Sequence, residues 1–152
     1  MIRKFLIATI LSSMCLLIVA IHDEQIEFII ISDRDNKIFD QNLDFVESLS
    51  SRKKYNGVLH YSLGARTSSD RLVASGGQNQ SYHQPQNVQI ALTYPSSGTG
   101  ATVTYVAVVV NQTSSLGQAY ITKGGIGQRS IQIVVEAYNT LVFNITAYIY
   151  GY

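Results

Sequence analysis

Cysteine and tryptophan are nearly missing from this 152-residue chain, which has one cysteine, Cys15, and no tryptophan. A lone thiol excludes an intrachain disulfide framework and a cysteine-built metal centre. The three histidines, His22, His60 and His83, have no spacing that would put two of them on one metal-binding face, so no metal site is expected. Charge is scarce too, and unevenly placed. Eight of the ten acids lie between Asp23 and Glu47, and from residue 57 onward only Asp70 and Glu136 remain. The bases of that same stretch are Arg66, Arg71, Lys123 and Arg129. Four scattered bases do not make the clustered face that nucleic acid requires, so direct nucleic-acid binding is not expected. Catalytic chemistry is equally thin. Asp70 with His60 or His83 and any serine makes a formal triad, but no nucleophile-elbow motif supports it. Asp70 and Glu136 make a formal glycosidase pair with nothing to fix their separation. No catalytic residue, cofactor or enzymatic activity is expected.

What the chain does have begins at the N-terminus. Arg3 and Lys4 precede the uncharged run "FLIATILSSMCLLIVAI", with Ile18 and Ala20 at the −3 and −1 positions of a cleavage site. This pattern reads as a signal peptide over residues 1–20, cleaved after Ala20, which takes Cys15 with it. The expected product is extracellular, with no stable membrane insertion after cleavage. A retained anchor is the alternative, since the run is close to the length needed to span a bilayer. Residues 21–56 read as a variable N-terminal segment. Within it "IEFIII" suggests a short strand, and Phe39, Leu43, Val46 and Leu49 recur at helical spacing after a capping residue at Asp35 or Asn36. "SRKK" at 51–54 reads as a solvated linker or a dibasic processing site.

From Gly57 the period changes to two. "NVQIALTY" aligns Val88, Ile90, Leu92 and Tyr94, and "SIQIVVEA" aligns Ile131, Ile133, Val135 and Ala137. "LVFNITAYI" aligns Leu141, Phe143, Ile145, Ala147 and Ile149. With "ATVTYVAVVV", "GVLHYSL", "DRLVAS" and "GQAYIT" this makes about seven short strands, separated by "PSSGTG", "NQTSSLG", "KGGIGQ" and "YNT". The expected fold is all-β, an antiparallel β-sandwich over residues 57–152. "KGGIGQ" could be mistaken for a phosphate-cradling loop. Such a loop leads from a strand into a helix, whereas both flanks here alternate as strands, so its glycines are expected to serve a hairpin.

Two further features bear on function. "NQS", "NQT" and "NIT" place N-glycosylation acceptor patterns at Asn79, Asn111 and Asn144, the first two in turn material. In "ATVTYVAVVV", Val103, Tyr105, Ala107 and Val109 are expected to face inward. That leaves Val106, Val108 and Val110 on the other side as a candidate interaction face, to be covered by Phe39, Leu43 and Val46 or by another chain. The expected partner is a protein or a second copy.

"DRLVAS", "LTYPSSGTGATVTYVAVVVNQ", "GQAYITKGGIGQRSIQIVVEA" and "AYIYG" together resemble the multiprotein bridging factor two family of insects, over roughly Leu63 to Tyr152. Ser69 stands where that family usually has glycine before the aspartate. The resemblance implies no catalytic residue and no cofactor. It implies two different roles: a transcriptional coactivator bridging a DNA-binding regulator and the general machinery, and small secreted proteins, salivary ones among them. With a signal peptide and three acceptor patterns, the expectation is a secreted, glycosylated, non-enzymatic binding protein. Its target is another protein, a glycan or a small apolar ligand. The coactivator is the alternative.

Overall fold

The computed structural model describes residues 26–31, 47–49, 51–55 and 57–152. The signal peptide with its cleavage site, Cys15 and His22 lie outside them, as do Phe39, Leu43 and Val46 of the expected helix. Among the described residues there is no helix. Eight strands form one antiparallel sheet: β1 (Glu27–Ile30), β2 (Glu47–Ser48), β3 (Ser51–Tyr55), β4 (Val58–Gly64), β5 (Arg71–Tyr94), β6 (Val103–Gln112), β7 (Gly117–Gly124) and β8 (Ile131–Gly151). The path runs β1-β5-β8-β6-β4-β3, with β7 also on β8 and β2 on β7.

Two long strands turn this one sheet into a sandwich. Over its whole length β8 pairs with β5. On its other side, residues 131–137 pair with β7 and residues 143–151 pair with β6. One layer is therefore β3-β4-β6 with the later half of β8 and the earlier half of β5. The other is β1 and β2-β7 with the remaining halves. Both long strands break where they pass between layers: the β5 register shifts between Ser81, Gln86 and Val88, around Pro85. Opposite this, Asn139 takes a left-handed φ of 54° and donates its N–H to Asn87 Oδ1 at 3.0 Å. Proline and a left-handed asparagine are the residues a strand tolerates at such a bend.

Inward side chains of both layers make a single core that includes Leu59, Val108, Ile145 and Ile149 from one layer and Ile90, Leu92, Ile121 and Ile133 from the other. Each such aliphatic side chain contributes about 1.5–3 kcal/mol on full burial. At Gly76 the backbone lies against the opposite layer: a Cβ there would stand 3.0 Å from Phe28 Cε2. The expected sandwich is present, and the period-two faces of residues 88–94 and 131–137 are buried as expected.

Four expectations change. "DRLVAS" and "NVQIALTY" belong to one strand, because the intervening "GGQNQSYHQPQ" also pairs with β8 or bulges within the pairing. "YNT" is a kink inside β8, not a turn, and it leaves Leu141 exposed. The described end of the expected helix, Glu47–Ser48, is a strand on β7, and Leu49 enters the core with its N–H bonded to Ala119 O at 3.1 Å. "SRKK" is no linker, because β3 pairs with β4 from Ser51↔Ser62 to Tyr55↔Val58.

The glycine-rich stretch is a hairpin joining β7 to β8, with Gly124 opposite Ile131. Gly124 has φ 69°, and a Cβ there would meet Ser130 O at 2.0 Å, so only glycine fits.

Candidate functional site

The valines of β6 do not form a surface. Val106, Val108 and Val110 are completely buried, between Leu63, Tyr61 and Leu59 of β4 and Ile149, Ala147 and Ile145 of β8. The cause is one residue. Val103 pairs with Gly151 and Tyr105 with Tyr150, so Thr104 is extra, and every later side chain changes face. Tyr105, Ala107 and Val109, expected inside, are the outward, half-buried set.

That reversal builds an aromatic face. The outward rows of the β5-β8-β6 layer run Leu72, Tyr150, Tyr105 and then Ser75, Tyr148, Ala107. Leu72 and Tyr148 are exposed, and the rings of Tyr105 and Tyr150 lie 5.9 Å apart at 45°. The Arg66 guanidinium sits 3.6 Å from the Tyr150 ring centroid, in cation–π contact.

Arg66 is held there by the turn between β4 and β5. Its Nε donates to Asp70 Oδ1 at 2.8 Å, while Thr67 N–H donates to Oδ2 at 2.8 Å. The Thr104 hydroxyl lies 3.0 Å from Asp70 Oδ2 and 3.1 Å from Tyr150 O, shared between the two acceptors. The bulged residue therefore ties the turn to the end of β8. Desolvation opposes ionisation of Asp70. The hydrogen bonds from Thr67, Arg66 and Thr104 and the charge of Arg66 outweigh it and hold the carboxyl below its ordinary 3.8. Ser69 is not among the left-handed residues, so this turn does not require glycine at that position. Beside it opens a cleft of about 320 Å³ lined by Thr67, Thr102, Thr104, Ile126 and Tyr152.

Glu136 lies on the outer face of the other layer, in register with Gln89 and Gln118. Its Oε1 accepts from Gln89 Nε2 at 2.8 Å and from Tyr120 OH at 2.8 Å. Its Oε2 accepts from Gln118 Nε2 at 2.7 Å and from Tyr138 OH. Burial works against the charge, but these four donors prevail and keep the carboxyl below its ordinary 4.5. Burial, then the Glu136 bond and charge, push the Tyr120 hydroxyl up to about 12. For Tyr138 the bond to Glu136 leads and burial follows, again to about 12. Glu136 is a pin across three strands. Asp70 and Glu136 thus have separate partner sets with no residue in common. Neither His60 nor His83, both exposed, is among the partners of Asp70. Among the described residues no group of His, Cys, Asp and Glu could hold a metal ion.

The three acceptor asparagines fall in one ladder row, Asn79↔Asn144↔Asn111, all within strands. Asn79 and Asn111 are therefore not in turns. Cross-strand neighbours stand about 5 Å apart at Cβ, which leaves no room for three glycans side by side.

A family model described as Transcription activator MBF2 matches residues 63–151, from the end of β4 to the end of β8. The chain belongs to the transcription activator MBF2 family. No curated protein and no solved structure matches it. MBF2 membership overturns the expected extracellular localisation and the secreted, glycoprotein and salivary character, which conflict with a family of transcription activators. The MBF2 region contains the whole aromatic face with Arg66, Asp70 and Thr104. Sequence reasoning passed over that face although "AYIYGY" carries its signal, tyrosines alternating with buried Ala147 and Ile149.

Proposed function

We propose that this protein is a transcriptional coactivator: a non-enzymatic adaptor in the nucleus that contacts a DNA-binding regulator and the general transcription machinery. The observation that carries the reading is the MBF2 match over residues 63–151. Two physical features support protein contact over DNA contact. The bases of the matched region are Arg66, Arg71, Lys123 and Arg129, and Arg66 is already committed to Asp70 and Tyr150. Counterion release from so few separated charges gives DNA little hold. Arginine and tyrosine, meanwhile, are the side chains enriched where protein interfaces concentrate their binding energy. On this reading Tyr148, Tyr150, Tyr105, Leu72 and Arg66 meet the partner.

The test is a tethering assay. Fused to a heterologous DNA-binding module, the chain should raise expression of a reporter carrying the module's sites. Tyr148→Ala and Leu72→Ala change exposed side chains and should lower that activation without lowering the amount of folded protein. A nuclear fusion that occupies its sites and leaves the reporter at baseline contradicts the proposal.

A further inference from the structure

Among the described residues, the earlier half of β5 is an open edge. From Ala74↔Ile149 to Ser81↔Val142 its pairing with β8 has no register shift. On its other side β1 reaches only Ile90–Thr93, and no described strand pairs residues 71–89. Ser75, Gly77, Asn79 and Ser81 are exposed along this stretch. Natural edges are usually blunted by lysine, proline or a bulge. Here no Lys, Arg, Asp or Glu occurs from Leu72 to Tyr94, and the register shifts, between Leu72 and Ala74 and around Pro85, lie at the two ends of the stretch and not within it.

One side chain on this edge lacks a partner. Gln78 pairs with Ile145 and points to the inner face, where its Oε1 is buried without a hydrogen bond. Leaving a buried amide oxygen unpaired is unfavourable, and such an atom calls for a donor. Gln78 belongs to the strand that borders this edge, so a strand added there would bring new donors beside it.

We infer that the protein dimerises through this edge, a second copy adding its own residues 74–81 antiparallel across a two-fold axis at Gln78. A two-fold perpendicular to the sheet keeps inner faces with inner faces and pairs residues symmetrically about the axis. Gln78 then faces the second copy's Gln78, and each amide Nε2 reaches the other's Oε1. Gly76 meets Gln80, Gly77 meets Asn79 and Ser75 meets Ser81, so Gln80 and Asn79 each stand opposite a glycine. The charge pattern selects the same occupant: an uncharged strand meets itself without opposing like charges, which directly facing lysines or carboxylates would impose. The result is one sheet continuing through both subunits, with the two aromatic faces on the same side.

The experiment combines light scattering of the full chain over a concentration series with hydrogen exchange of its amides. A reversible dimer is expected, and amides within 74–81 should exchange slowly at concentrations where it forms and quickly on dilution. Ser75→Lys with Ser81→Lys sets lysine against lysine on the exposed face and should weaken the dimer about tenfold or more, with the denaturation curve of the monomer unchanged. Gln78→Ala should also weaken it. A chain that stays monomeric to millimolar concentration overturns the inference, as does a dimer indifferent to both lysines. Protection of residues 74–81 in a monomer also overturns it, because the chain itself would then occupy the edge.

Discussion

Replacing Val108 by threonine leaves the side-chain shape nearly unchanged and exchanges one methyl for a hydroxyl. Val108 has no exposed surface, and its in-register neighbours are Tyr61 and Ala147. Backbone groups on both sides are engaged in the ladders to β4 and β8, so the new hydroxyl enters the core without a free partner. Burying an unsatisfied hydroxyl costs about 1–3 kcal/mol. The same change at Val109 places the hydroxyl on the half-buried outer face, between His60 and Thr146. Substitutions at such positions stay within about 0.5 kcal/mol. Urea denaturation reads the difference directly: with a slope of about 1–3 kcal/mol per molar, Val108→Thr should move the midpoint down by about 1 M and Val109→Thr hardly at all. The reverse order would refute the bulge at Thr104 and, with it, the aromatic outer face.

Gly124→Ala adds a Cβ at φ 69° and 2.0 Å from Ser130 O, so it should destabilise by at least about 1 kcal/mol; an unchanged melting temperature would contradict the hairpin. Asp70 and Glu136 both have carboxyls held below their ordinary values, so their contribution is complete above about 4.5 and disappears as pH falls through the lowered values. Glu136→Gln should therefore flatten the acid limb of stability against pH, measured by urea denaturation, and an unaltered limb would remove Glu136 as a pin. Tyr120→Phe deletes one donor to Glu136 and should cost about 0.5–1.5 kcal/mol in the same assay, whereas no loss would mean that the bond contributes nothing.

The second layer was legible because Val88, Ile90, Leu92 and Tyr94, like Ile131, Ile133, Val135 and Ala137, keep one face apolar from turn to bend, although Ala91 and Val134 are buried on the other face as well. The first layer was misread at one bulge. A single additional residue, Thr104, inverts a period-two pattern, and valine on both sides of β6 leaves composition unable to tell inside from outside. The polar "GGQNQS" has weak β propensity and suggests a loop, yet β8 runs on past the Asn139 bend and holds it as strand. Similarly, Ser51–Tyr55 is a strand because β4 offers an edge, a tertiary cause that local charge does not report. At the site, the sequence offers Asp70 only as a member of formal catalytic sets, whereas the fold gives it Arg66 as partner, and the contact of Arg66 with Tyr150 joins residues that only the folded sheet brings together.

Site-specific photo-crosslinking in nuclear extract tests the adaptor account most directly, with the reactive group placed at Tyr148 on the aromatic face and, separately, at Gln132 on the outer face of the other layer. The account predicts a protein adduct from position 148, none from position 132, and no nucleic-acid adduct from either. A nucleic-acid adduct at 148, or protein adducts from 132 alone, would contradict it.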